Sequence, residues 1–469
     1  MVVRLGMKKV IAVAIYTISL GSSFALANSE DTIEVLGDAG KLVQHDLGFD
    51  VGSMVAYPIL SYAVGTSSSA SATQIVTREG EFTGEFEPGS SESAIVSDWR
   101  VGGGLQGVNR GHLYGIEYVL EGGEYLSSGN DDDDVDQTIT AYWGTAITPR
   151  HNFDASIRYS DSHDPRSEDD PLRNARRSNV SGRPDLWSEL KYGFGYVYGV
   201  DGARGNIAVQ ACETDREYDN NDQSFRDRTI TDIGGQITAQ VAPKTQLFGQ
   251  IVHSDFDYDN QSPTDPLMGE SLSSTEKRYL VGAAWDATQR ISGQLRVGQV
   301  EKDFDAATRT DYDALTLDAE LNWTPTDRDQ VTLYSFYAPR ENVWFDGVVD
   351  SSDFVEVRQT ELYWSRPFGN KLTAQLGGYF ATDDYRGTAR EDDRTGFSVA
   401  VRYSLNRFGD IGLTYYQRER DSDVAAREYD EEGLYLDLNI GALFGFGVNE
   451  SRATQPCSLR SYTSEYNAY

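Results

Sequence analysis

Beyond its N-terminus the chain lacks any run of about 18 apolar residues, which excludes a membrane-spanning helix. It has two cysteines, Cys212 and Cys457, far apart in 469 residues. Two cysteines in that length make no disulfide framework. An oxidising compartment would let them pair, but no structural role is expected for either. Positive charge is scarce: 41 Lys and Arg stand against 74 Asp and Glu, a net charge of -33, which argues against a nucleic-acid partner. Histidine is scarcer still. His45, His112, His151, His163 and His253 come with no zinc-binding motif and no nucleophile elbow, so no enzyme is expected.

The Ala, Leu, Glu and Lys richness of large helical proteins is also missing. In its place are 45 Gly, 28 Tyr and 19 Phe, with many Thr, Val, Asp and Asn. That mixture favours strands and turns. A mean hydropathy of -0.50 is compatible with a transmembrane barrel, because lipid-facing residues alternate with polar lumen residues and the average cancels.

The stretch from Tyr312 to Pro367 shows the pattern. Leu315, Leu317, Ala319, Leu321 and Trp323 alternate with Thr316, Asp318, Glu320 and Asn322, a period of two with one apolar face. A tight turn around Pro325 follows, and Val331, Leu333 and Tyr337 carry the apolar face back. The next connection is longer and acidic. The whole chain repeats this unit, and eighteen strands are expected at 52–66, 93–108, 111–126, 136–148, 151–162, 186–199, 205–217, 228–241, 245–257, 274–287, 290–304, 312–324, 329–341, 354–366, 370–383, 392–405, 409–421 and 430–444. The connections alternate short and long, as periplasmic turns and extracellular loops do. The expected fold is all-β, an up-and-down antiparallel transmembrane barrel of about 18 strands, with 16–18 plausible. A soluble sandwich would show shorter strands and no such asymmetry.

Flanking segments complete the organisation. Residues 1–27 read as a secretory signal, with Lys8 and Lys9 before an apolar stretch and Ala25-Leu26-Ala27 as a cleavage site. Residues 28–51 read as a periplasmic N-terminal segment, 52–444 as the barrel and 445–469 as a C-terminal extension on the periplasmic side.

Parity assigns the charged residues. Asp154, Glu189, Asp232, Asp318, Glu320, Glu361 and Asp437 are expected to face the lumen with Arg158, Lys191, Arg278, Arg296, Arg402 and Arg418. Cross-strand pairs that hold the wall and a path for a hydrophilic solute would need the same polarity. Trp143, Trp285, Trp323 and Trp364 each precede a short turn and face outward, the pattern of an interfacial girdle; carbohydrate-stacking platforms are the alternative. Arg173, Arg176, Arg177 and Arg183 concentrate in the connection 163–185. They either pair with acids of their own loop or form a constriction that meets anionic groups. Asp131, Asp132, Asp133 and Asp134 lack the glycine and terminal glutamate of an EF-hand, so a solvated charge run stands beside a divalent-cation site. No cofactor is expected otherwise.

The segment 297–339, VGQVEKDFDAATRTDYDALTLDAELNWTPTDRDQVTLYSFYAP, resembles a beta-barrel porin family found with bacterial exopolysaccharide genes. Residues 147–166 and 429–443 are similar to its earlier hairpin and its last strand. The resemblance implies an outer-membrane barrel of about eighteen strands that provides an exit for secreted polysaccharide. It also implies partners: the polymer as transported ligand, outer-membrane lipid and lipopolysaccharide, and separate periplasmic export proteins. A general or solute-selective diffusion porin is the alternative, with an outer-membrane enzyme or an adhesin behind it.

Overall fold

The computed structural model describes residues 49–68, 94–109, 111–126, 135–163, 186–200, 204–220, 223–259, 271–288, 290–307, 309–341, 354–406, 409–423 and 428–441. Nineteen strands follow one another in order. They are β1 (Phe49–Val51), β2 (Met54–Ser67), β3 (Ala94–Asn109), β4 (His112–Tyr125), β5 (Val135–Thr148), β6 (His151–His163), β7 (Leu186–Tyr198), β8 (Gly205–Tyr218), β9 (Arg228–Ala242) and β10 (Thr245–Tyr258). Then come β11 (Ser274–Thr288), β12 (Ile291–Phe304), β13 (Tyr312–Trp323), β14 (Gln330–Glu341), β15 (Phe354–Phe368), β16 (Leu372–Tyr385), β17 (Glu391–Asn406), β18 (Gly409–Ser422) and β19 (Tyr429–Gly441).

Each strand from β2 to β19 pairs antiparallel with the next, and β19 returns to β2 with Leu438 opposite Tyr62, which closes an eighteen-strand barrel. All eighteen expected strands are present, with ends shifted by a few residues. The one addition is β1. Residues 49–51 were expected to precede the barrel, but Gly52 turns with φ +67 and lays Phe49 opposite Ala56. Glycine takes that left-handed conformation without steric cost, so the chain folds back on itself at the barrel's edge.

The two faces follow the period. On β9, Ile237 is 64% exposed while its neighbour Thr238 is 6% exposed. Ile233, Ile251, Val281, Leu315 and Phe380 continue the exposed apolar face, which is the face that lipid covers. Over Gly235 and Gly249 this outer surface forms an apolar recess bordered by Ile207, Val209, Ile237 and Ile251. The inner face is polar and largely buried.

Tyrosines and glycines interlock on the inner face. Tyr57 lies across Gly104, Tyr142 across Gly115, Phe248 across Gly282, Tyr379 across Gly396, Tyr416 across Gly433 and Tyr435 across Gly65. Each glycine opposes its aromatic in register or sits beside it on the next strand, and a Cβ there would enter the ring. The rings therefore lie flat against the wall, covering backbone that the glycines leave bare.

Gly282→Val is expected to impair assembly, because its Cβ meets the Phe248 ring and, at 2.6 Å, the Leu295 carbonyl oxygen. Overpacking of this kind costs about 1–3 kcal/mol. A Cβ at Gly249 meets nothing within 4 Å, so Gly249→Val serves as the control. The share of barrel that keeps compact mobility in unheated detergent gels should fall for the first variant and stay unchanged for the second.

Candidate functional site

The candidate site is the inner wall. Register places all the charged residues assigned to the lumen on that face, and most are engaged within it. Arg402 donates to Asp410 at 2.9 Å and to Asp437 at 3.0 Å, joining β17, β18 and β19. Arg216 donates to Glu189 at 2.9 Å across β7 and β8. Arg278 donates to Glu276 at 2.5 Å along its own strand. Asp318 accepts from the Tyr334 hydroxyl at 2.7 Å, and Glu361 accepts from the Gln359 amide N–H and from the Tyr363 hydroxyl. Glu320 accepts from Asn322 at 2.8 Å, and Arg158 donates to Ser160 at 3.2 Å. Arg296 lies 5.8 Å from the Phe248 ring centre, and Arg418 5.1 Å from that of Tyr416. Asp154 covers Gly195, Lys191 is buried on β7, and Asp232 stands opposite Cys212.

The densest cluster was not singled out in the sequence. At the outer ends of β16, β17 and β18, Arg394 makes a two-pronged contact with Asp383 at 2.7 and 2.9 Å. Arg390 holds Asp392 the same way, with Nε at 2.9 Å, and stacks 3.8 Å over Tyr385. Ser422 donates to Asp392, and Arg420 lies 4.0 Å from it. Asp383 and Asp392 face each other directly across the strand pair. Like charges so placed repel, and the three arginines compensate them. Alternating sequence marks these residues as inward but carries no sign of which ones meet.

A second inner-wall feature runs along β15, β16, β18, β19. Tyr363, Tyr379, Tyr416 and Tyr435 form a band of half-buried rings, with Tyr416 and Tyr435 stacked at 5.8 Å. Tyr416 donates to Glu431 at 2.7 Å.

The outer surface has two boundaries. Trp143, Trp285, Trp323 and Trp364 lie near the short turns on the outward face; Trp143 stacks on His112, and Trp285 covers Gly293. Toward the long loops, outward tyrosines hand their hydroxyls to acceptors one step further along: Tyr118 to Gln137, Tyr159 to Asp161, Tyr192 to Glu213, Tyr337 to Glu356 and Tyr415 to Glu432. Apolar wall gives way to acidic wall at that level.

Asp329 anchors the turn between β13 and β14. It accepts from the Thr326 hydroxyl, from the Trp364 indole N–H at 3.0 Å and from Arg366 at 3.3 Å. The Thr326 hydrogen bond first, then Trp364 and Arg366, hold its carboxyl below the usual carboxylate range against the opposing effect of desolvation. Nothing in the local sequence singled out Asp329, because two of its partners, Trp364 and Arg366, lie two strands on.

Cys212 corrects an expectation. It was given no structural role, yet it is disulfide-bonded. It faces the lumen and is 6% exposed. Cys457, the aspartates 131–134 and the arginines 173, 176, 177 and 183 lie outside the described residues. Among the histidines, His163 bonds Asp136 at 2.8 Å, but Ser162 donates to that same carboxylate rather than to the imidazole. His253 faces outward on β10, opposite Ile233.

A sequence profile of the family described as "Putative beta-barrel porin 2" matches residues 45–441. The chain belongs to that family. This porin closes as an eighteen-strand antiparallel barrel. It is similar to the FrpB iron transporter from Neisseria meningitidis (TM-score 0.45, 11% identity), covering 81% of this chain and 64% of that one. It is similar also to OpdL from Pseudomonas aeruginosa (0.43, 11%, 83% and 98%) and to OccAB3 from Acinetobacter baumannii (0.44, 9%, 82% and 99%). No curated protein matches the chain.

Two predictions test the wall and the turn. Asp383→Asn removes the carboxylate charge that Arg394, 1% exposed, contacts through two hydrogen bonds. Breaking a buried pair from one side costs about 3–5 kcal/mol, whereas replacing both partners by apolar residues is far milder. The temperature at which compact gel mobility is lost should therefore drop much more for Asp383→Asn than for the double variant Asp383→Leu, Arg394→Met. Asp329 has a depressed folded pKa, so its contribution is present above the unfolded value of about 3.9 and is lost as pH falls through the folded one. Urea midpoints of the native protein and Asp329→Asn should differ at pH 7 and draw together as the pH is lowered below the unfolded value.

Proposed function

We propose that this porin is a passive outer-membrane conduit for a secreted carbohydrate polymer. The observation that carries the reading is the band of Tyr363, Tyr379, Tyr416 and Tyr435 along the inner wall. Rings held flat over glycine offer apolar faces to the apolar faces of sugar rings. The Gln, Asn, Ser and Thr side chains around them supply donors and acceptors for hydroxyl groups. A passive wall needs no reactive centre, and the inner charges compensate one another rather than stand poised for chemistry. The family resemblance to porins found with exopolysaccharide genes agrees with this reading.

The net charge of -33 favours a neutral polymer over a polyanion, since an acidic entrance repels like charge. Periplasmic export proteins would deliver the polymer to the side of the short turns. Lipopolysaccharide would contact the acidic surface beyond the tyrosine boundary, bridged by divalent cations.

Deleting the gene should abolish or sharply reduce surface and secreted polysaccharide, and the gene in trans should restore it. In planar bilayers, the isolated barrel should be blocked by the neutral polymer, and Tyr379→Ala with Tyr416→Ala should weaken that block roughly tenfold, about 1.4 kcal/mol. Unchanged polysaccharide after deletion, together with free permeation of small sugars, would instead identify a general diffusion porin.

A further inference from the structure

We propose that residues 223–227, 271–273 and 309–311, at the long-loop end of β8 to β13, fold inward as one packed layer, and that this layer is the constriction of the pore, leaving passage along the opposite wall beside Arg100 and Glu121. The proposal rests on the barrel being a conduit and says where that conduit is narrowest.

Burial and side-chain direction lead there first. Ile230, Phe256 and Tyr258 lie on the inner face near the outer ends of β9 and β10, and on β10 they alternate with the exposed, outward Asp255 and Asp257. Leu272, just before β11, forms one buried cluster with these three. A segment standing out in water would not bring Leu272 onto an inner face. Residues 271–273 therefore lie inside the rim, not above it. On the neighbouring connection, the short 3-10 turn Gln223–Arg226 sets Arg226 4.2 Å over the inward ring of Tyr218, with Arg226 only 2% exposed. Arginine on a surface loop is seldom covered so fully, and here the loop has turned inward.

Hydrogen bonds join the three segments into one body. The Asp259 N–H donates to the Asp227 carbonyl at 3.2 Å, which ties the first segment to the end of β10. The Tyr258 N–H donates to the Ser273 hydroxyl at 3.0 Å, which ties β10 to the second. Arg309 donates Nε to the Ser271 carbonyl at 3.2 Å, which ties the second to the third. Beneath them, Lys302 lies 3.9 Å from the Phe256 ring centre and 5.6 Å from that of Phe304. Such cation–ring contacts strengthen where water is excluded. The layer is thus continuous from β8 to β13, six of the eighteen strands that close the barrel.

The far wall is open. β3 and β4 stand seven strands round the barrel from β10 and β11. There Arg100 and Glu121 face inward, and although joined at 2.6 Å they keep 33% and 45% of their side-chain surface exposed. Packing on one side and open wall on the other place the free path off-centre. Eighteen tilted strands about 4.8 Å apart make a ring roughly 35 Å across between backbones, and a packed layer stands about 10 Å off its sheet. A layer of that depth along part of the rim narrows the opening without closing it.

The test measures single-channel conductance of the full chain in planar bilayers. Leu272→Asp combined with Arg309→Ser puts a charge into the apolar cluster and removes the link to Ser271, while strand pairing and compact gel mobility stay intact. Conductance should rise at least about 1.5-fold as the layer leaves the rim. Arg309→Ser alone, which keeps Leu272, should give a smaller rise and carries the test if the double variant assembles poorly. A second readout fixes position, in a chain with both native cysteines replaced by serine. Arg100→Cys should react with a charged, membrane-impermeant thiol reagent and lose current, whereas Leu272→Cys should react roughly tenfold more slowly, because thiol reactivity follows exposure. Unchanged conductance in variants of intact gel mobility would overturn the constriction. Equal reaction at 272 and 100 would overturn the inward layer. A barrel that conducts no ions in any form would instead remove the conduit reading, and this proposal with it, so the two failures are told apart.

Discussion

Inside a lipid bilayer every backbone N–H and C=O must find a partner within the protein, because no water is there to supply one. A sheet satisfies this only by closing. The pairing of β19 with β2 is therefore the contact on which the molecule depends: without it, two long edges would stand unpaired in lipid. Closure fixes the rest. It forces each strand to divide its residues between lipid and lumen, and it sets neighbouring side chains into cross-strand rows. The interlocked tyrosine and glycine positions are one result, since a curved wall crowds its inner side and a ring fits flat only where the opposing residue has no side chain.

The same crowding explains the inner charges. Asp383 and Asp392 are forced opposite each other by register, a destabilising placement in isolation. Arg390, Arg394 and Arg420 converge on them from two strands, and the net is buried and compensated. Arg402 does similar work between Asp410 and Asp437. These groups tie β16 to β19 together on the inner side, within the arc whose tyrosines form the band. Wall stability and lumen polarity are thus produced by the same residues, and a change made to one acts on the other.

How much of this could be read from the chain varies with the range of the interaction. Strand positions and faces were legible because period-two alternation and turn length are local. Leu315 to Trp323 announce their outward face without reference to any other strand. The inward placement of Asp318 follows from its neighbours alone, but its hydrogen bond to Tyr334 depends on how the next strand is offset. Asp329 shows the limit most clearly. It looks like one more turn aspartate, and its meaning comes from Trp364 and Arg366, which the closed sheet brings beside it. β1 escaped for a different reason: three residues are too few to show a period, and only the left-handed Gly52 reveals the reversal.

Cys212 belongs with these long-range features, and it changes how the lumen is to be regarded. A pore wall made only of paired charges and flat rings is static. A covalent attachment point at mid-height is different, because the space it faces can be filled or cleared without altering the wall. The barrel's stability resides in backbone pairing, in lipid-facing side chains and in the compensated charges of the inner wall. What the lumen holds can therefore change while all eighteen strands remain in place. In a barrel this is the one region where conformation can change without exposing an unpaired edge to lipid.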